Sequence, residues 1–193
     1  MKDRIQKIIS DSSEIHTRLL EDYDLQNHIK KIVAVCVEAF KNGNKLLLCG
    51  NGGSASDAQH IAAELSGRFY KDRPPLHAEA LNVNTSFLTA VANDFGYNQT
   101  FARMLESCGK KKDVLIAIST SGNSNNIIQV LKKARNLDIL TIGLSGQDGG
   151  KMQSLCDIIV NIPSHNTARI QEIHILCGHI ICQLIEEEIF PNV

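Results

Sequence analysis

Five short apolar runs most constrain what this chain can fold into: KLLLC (45–49), HAEAL (77–81), DVLIAIS (113–119), ILTIGLS (139–145) and DIIVNI (157–162). Gly, Asn, Asp and Ser punctuate them. Near-continuous apolarity suits strands buried on both faces, and such strands belong to parallel sheets sheathed by helices. The intervening stretches 54–71, 84–107, 123–136 and 166–189 are long enough for crossover helices. The expected fold class is therefore α/β, a doubly wound five-stranded parallel sheet.

Residues 1–42 follow a different period. Ile5, Ile8, Ile9, Ser12, Ile15 and Leu19 recur at three- and four-residue steps, and Ile29, Ile32, Val33, Val35, Cys36 and Phe40 do so again. That spacing predicts two helices with a break near Asp22–Asp24. The first is striped, and a compact α/β core has no obvious need of two leading helices. A partner helix from another subunit would cover the stripe, so a homo-oligomer is expected. The 193 residues read as one domain, with 1–42 as a helical extension and 43–193 as the α/β core.

Charge excludes some functions. Lys and Arg number 20 against 21 Asp and Glu, so there is no basic field to displace counterions from a nucleic-acid backbone. With no Trp and only 9 Phe and Tyr, a base-stacking surface is not expected either. The opening MKDRIQKIISDSSEI mixes both charge signs and has no apolar core of a signal peptide. No apolar run approaches the ~20 residues needed to span a bilayer. Cys36, Cys49, Cys108, Cys156, Cys177 and Cys182 are scattered without C-x-x-C spacing, and most lie in apolar runs. They read as reduced core residues of a cytoplasmic protein.

Three constellations could carry chemistry. The first follows the 45–49 run: Gly50–Asn51–Gly52–Gly53 allows close backbone approach, and Ser54 or Ser56 could cap the helix that follows. At the carboxyl end of a parallel strand, such a loop offers N–H groups to an anionic or polyhydroxyl ligand. The plain alternative is a tight turn with no ligand. His60 and Glu64, at i and i+4, share one face of that helix, the spacing of paired metal ligands or of an acid–base couple. The second is Ser119–Thr120–Ser121–Gly122–Asn123–Ser124, four hydroxyls in six residues and able to hold a phosphate without Lys or Arg. The third is the helix ARIQEIHILCGH (168–179). There Gln171 and His179 lie within roughly 80° of each other, while His174 points elsewhere and reads as structural.

The strings CGNGGSASDAQHIAAELSGRF, ANDFGYN, AISTSGNS and ARIQEIHILCGH, in that order along nearly the whole chain, resemble the sugar isomerase (SIS) domain family, in particular its members that isomerise phosphoheptoses. The resemblance implies a flavodoxin-like SIS fold and conversion of sedoheptulose 7-phosphate to D-glycero-D-manno-heptose 7-phosphate through an enediol, the first step of nucleotide-activated heptose biosynthesis. It implies that Asn51, Gly52 and Gly53 line the sugar site, with Asn93 and Asp94 bonding its hydroxyls. Ser119, Thr120, Ser121 and Ser124 would hold the phosphate. His60, Glu64, Gln171 and His179 would gather around one Zn²⁺ per subunit, with Gln171 also near substrate, and Glu64 and His179 as the catalytic pair. It further implies a homotetramer in which Arg68 and the 84–98 segment reach a neighbouring site. The family also contains non-catalytic phosphosugar sensors and initiator-associating proteins that bind DnaA; the latter lack the catalytic Glu and His, which this chain keeps. One departure stands out: Ala168 occupies a position where some isomerases carry Asp, and residues 163–167 differ as well.

Overall fold

The protein is described from a computed structural model covering residues 1–193. Two helices lead, α1 (Lys2–Glu21) and α2 (Tyr23–Lys41), separated at Asp22, whose carboxylate accepts from the Leu25 N–H at 2.9 Å. Then follow β1 (Leu46–Gly50), α3 (Gly53–Ser66), β2 (Ala78–Ala80), α4 (Thr85–Phe95), α5 (Thr100–Cys108), β3 (Val114–Ser119), α6 (Asn125–Asn136), β4 (Leu140–Ser145), β5 (Ile158–Asn161) and α7 (Thr167–Ile189). The strands form one parallel sheet in the order β2-β1-β3-β4-β5, each on one of the five apolar runs, with β1 reaching one residue past its run to Gly50.

Successive strand residues feed two cores, as the two-residue period requires. Leu46, Leu48, Ile116 and Ile118 pack with α2, α3 and α7 on one face. Leu47, Cys49, Leu115 and Ala117 pack with α5 and α6 on the other. From β1 the chain steps outward through α3 to β2, whereas from β3 it steps the opposite way through α6 to β4. The carboxyl ends of β1 and β3 therefore flank the point where strand order reverses, the crevice in which open α/β sheets bind ligands.

Several local expectations are corrected. The 84–107 stretch holds two helices, because Gly96 at φ 83° turns the chain into a short 3₁₀ turn, Tyr97–Gln99. Asn93 and Asp94 thus belong to the last turn of α4. The β4–β5 link carries only a 3₁₀ turn, Gly150–Ser154. Gly52, not Ser54 or Ser56, occupies the cap position of α3, and no side chain caps that helix. Of the cysteines, all are free but only four are buried; Cys108 and Cys156 are partly exposed. Burial pushes the Cys36 and Cys177 thiols up to about 12, so both stay protonated at neutral pH.

Helix α1 buries only Ile15 and Leu19; Ile5, Ile8 and Ile9 remain more than half exposed. It is tethered to α7 by Ser12 Oγ donating to Glu172 Oε2 at 2.8 Å and by Arg169 donating to the Ile8 carbonyl at 3.0 Å. No helix is long and apolar enough to cross a membrane.

Candidate active site

The loop after β1 is held by an amide pair that joins two crossovers. Asn51 Nδ2 donates to Asn126 Oδ1 at 2.9 Å, Asn126 Nδ2 donates back to Asn51 Oδ1 at 2.8 Å, and Tyr97 Oη donates to the same Asn51 oxygen at 3.0 Å. Asn51 is thereby locked by the start of α6 and by the turn after α4. Gly53 lies against α7: a Cβ there would stand 2.6 Å from Gln171 Nε2, so only a glycine leaves room for that amide.

Helices α3 and α7 bring the titratable cluster together. His60 Nε2 and His179 Nε2 are 2.9 Å apart, and His60 Nε2 is 3.2 Å from Glu64 Oε1. The ligand-type atoms of His60, Glu64 and His179 all lie within 4.8 Å of one another. Two ring nitrogens at hydrogen-bond distance need one proton between them, so in the protein alone one imidazole donates and the other accepts. Two imidazoles and a carboxylate facing one point form the borderline-nitrogen and hard-oxygen set that suits a divalent transition metal, so the residues present fit such an ion. Gln171 sits two turns before His179 on α7, at Gly53.

One turn before His60, Asp57 was not anticipated from the sequence. Its Oδ2 is buried without a hydrogen-bond partner, and burial pushes its carboxyl above the ordinary range while His60 pulls it back. A carboxylate behind a ligating histidine is a common outer partner. Tyr97 and Asn126 were also missed; Tyr97 lies inside the ANDFGYN string, but no spacing rule points to either.

The hydroxyl turn follows the carboxyl end of β3. Ser119, buried at the tip of β3, has its Oγ 3.3 Å from Ser124 Oγ, and the Gly122 N–H donates to the Ser119 carbonyl at 3.0 Å. Ser124 holds the cap position of α6, yet its hydroxyl serves Ser119 instead of the helix. Thr120 and Ser121 line a cleft of about 210 Å³ with Gln147, Asp148, Ser164, His165 and Thr167; no Lys or Arg lines it, and Asp148 is its one carboxylate. Beneath lies His174, buried on α7. Burial pushes its imidazole down to about 4, only partly opposed by its bond to the Ser145 carbonyl. It is therefore neutral, and since that carbonyl can only accept, Nε2 carries the proton, at 3.2 Å. Ser145 Oγ in turn donates to the Ser119 carbonyl at 3.0 Å.

Asn93 and Asp94 are less integrated. Both are exposed, and Asn93 Nδ2 donates to Asp94 Oδ1 at 2.8 Å.

A family model described as the SIS domain matches residues 9–146. The chain belongs to the SIS-domain family. Within it, this SIS-domain chain falls among the phosphoheptose isomerases. It is 50% identical over 192 residues to the phosphoheptose isomerase of Aneurinibacillus thermoaerophilus, covering 100% of this chain and 97% of the relative. It is 52% identical over 189 residues to that of Aliarcobacter butzleri, covering 98% and 99%. Among solved structures, the phosphoheptose isomerase of Neisseria gonorrhoeae superposes with a TM-score of 0.90 at 38% identity over 96% of this chain and 98% of that one. The phosphoheptose isomerase of Francisella tularensis gives 0.92 at 36% over 96% and 97%. The SIS fold is thus shared over 96% of this chain.

Proposed function

We propose that the protein is an aldose–ketose isomerase that interconverts sedoheptulose 7-phosphate and D-glycero-D-manno-heptose 7-phosphate. The observation that carries this reading is the convergence of His60 and Glu64, on the helix that follows the β1 loop, with His179 of α7, beside a hydroxyl turn at the end of the neighbouring strand β3.

The reaction moves one proton between C1 and C2 and one between their oxygens. Glu64 takes the proton from C1 of the ketose while His179 delivers a proton to the C2 oxygen, giving the cis-enediol. Glu64 then returns its proton to C2 as the C1 hydroxyl gives up its own to His179, and the aldose results. Ser119, Thr120, Ser121 and Ser124 hold the phosphate through hydroxyl and backbone N–H groups, fixing the far end of the substrate so that C1 and C2 meet Glu64. Asn51, Gly52 and Gly53 line the sugar, and Asn93 and Asp94 bond its hydroxyls. One Zn²⁺ per subunit, held by His60, Glu64, Gln171 and His179, supplies Lewis-acid polarisation when bound. The same reading takes residues 1–193 as one SIS domain. It makes the enzyme a cytoplasmic homotetramer in which Arg68 and the 84–98 segment serve a neighbouring subunit's site, and puts it at the first step of nucleotide-activated heptose biosynthesis.

The decisive experiment incubates the protein with sedoheptulose 7-phosphate and follows the aldose by NMR. Glu64→Gln should lower turnover by at least about 100-fold, the scale of a lost general base, with unchanged circular dichroism and mass. Near-normal turnover in that variant would sink the assignment of Glu64 as base.

A further inference from the structure

Behind the titratable cluster lies a buried ion pair with no part in the chemistry above. Arg73, in the segment between α3 and β2, and Glu186, near the end of α7, are 0% and 1% exposed, with Arg73 Nε 2.9 Å from Glu186 Oε1. Each partner also grips backbone. Arg73 Nη2 donates to the carbonyl of Glu64 at 2.9 Å, and Nη1 donates to those of Leu65 at 2.7 Å and Gly67 at 3.0 Å. These carbonyls belong to the last turn of α3 and its cap residue, where a cation also meets the negative end of the helix dipole. The Glu186 carboxylate accepts the N–H groups of Phe69 at 3.2 Å, Tyr70 at 2.8 Å and Lys71 at 3.0 Å. The Phe69 ring lies 5.7 Å from that of His179, centroid to centroid.

This arrangement touches both halves of the cluster. Glu64 itself is bound by Arg73 at its own carbonyl, and His179 stands on the same helix as Glu186, two turns earlier. Pairing two buried charges is a poor way to gain stability, because desolvation offsets the attraction. A fork that engages one carboxylate and four carbonyls, the fourth that of Pro74 at 3.2 Å, is a good way to set geometry. We propose that the Arg73–Glu186 pair is a positioning device that locks the C-terminal turn of α3 against α7 and so sets Glu64 opposite His179.

The proposal rests on the phosphoheptose isomerase reading, and the test separates the two. Arg73→Lys keeps the charge but not the fork, and Glu186→Gln keeps the volume and one acceptor oxygen. Both are assayed beside the parent protein, with melting temperature and mass measured in parallel. A parent without turnover refutes the functional reading and leaves no reaction for the pair to serve. With an active parent, a folded variant should lose roughly tenfold or more in kcat while KM stays within about threefold, the pattern of a misaligned reacting end behind an intact phosphate hold. Inhibition by inorganic phosphate should be unchanged. Affinity for Zn²⁺, read by competition with a chelating dye, should fall about tenfold, as when an outer support of a metal ligand is lost. A folded variant with kcat within about twofold of the parent overturns the proposal. So does failure of both variants to fold, which would assign the pair to fold stability instead.

Discussion

Buried groups at the residue scale decide how this protein responds to acid. His174 was expected to be structural, and it is buried on α7; its role under the Ser119 turn was not legible, since Ser145 is 29 positions away. Its imidazole titrates near 6.5 in an unfolded chain and is pushed down to about 4 here, chiefly by burial. Between those values the unfolded chain binds a proton that the folded one refuses, so stability present above pH 6.5 is lost as pH falls toward 4. From the two values, the loss is roughly 3 kcal/mol at about 1.4 kcal/mol per pH decade. His174→Gln removes that step, so its urea midpoint should fall less than the parent's between pH 7 and 5. Parallel curves would show that His174 is not the group responsible. The Gly53–Gln171 contact gives a second prediction. In Gly53→Ala the new Cβ meets the movable end of a glutamine, so stability should change by less than about 1 kcal/mol. Displacing that amide should nevertheless cut kcat roughly tenfold, the cost of a small misplacement at the reacting centre; unchanged kcat would remove Gln171 from the site. The Asn51–Asn126–Tyr97 link illustrates what sequence hides, since a reciprocal amide pair spanning 75 positions leaves no periodic trace.

Apolar continuity decided how well individual elements could be read. The five strands and the helix pair 1–42 were legible because burial imposes a period on the residue types. The break at Gly96, the short β4–β5 link and the uncapped start of α3 were not, because caps and turn geometry depend on which partner each backbone group finds in three dimensions. The crossing of α3 and α7 has the same character. Gly178 looks like a poor helix residue, yet a Cβ there would lie 2.6 Å from Ile61 Cδ1, a buried side chain with nowhere to go. Gly→Ala within a helix ordinarily gains up to about 1 kcal/mol, whereas overpacking costs about 1–3 kcal/mol. We expect Gly178→Ala to be destabilised on balance, and its activity to fall because Ile61 adjoins His60 and Gly178 adjoins His179. A more stable, fully active variant in denaturant titration and turnover assays would show that the helices can part there without consequence.

Assembly is the question that belongs to the whole molecule. The striping of α1 suggested a partner, and the fold sharpens this: Ile15 and Leu19 serve the chain's own core, while Ile5, Ile8 and Ile9 serve nothing within it. Full burial of an isoleucine is worth about 1.5–3 kcal/mol, so three such residues bring several kcal/mol per helix. Association costs about 4–15 kcal/mol in lost freedom, so symmetric copies of the stripe, adding to one another, can meet it where one alone does not. Deleting residues 1–20 should therefore lower the mass seen by light scattering, but it also strips Ile15 and Leu19 from the core and confounds folding with assembly. Changing Ile5, Ile8 and Ile9 together to Gln avoids this, because all three are exposed and Gln is a good helix former. The triple variant should keep the circular dichroism of the parent and run as a smaller species at micromolar concentration. An unchanged mass would show that subunits meet through another surface and that the α1 stripe has no main role in holding them together.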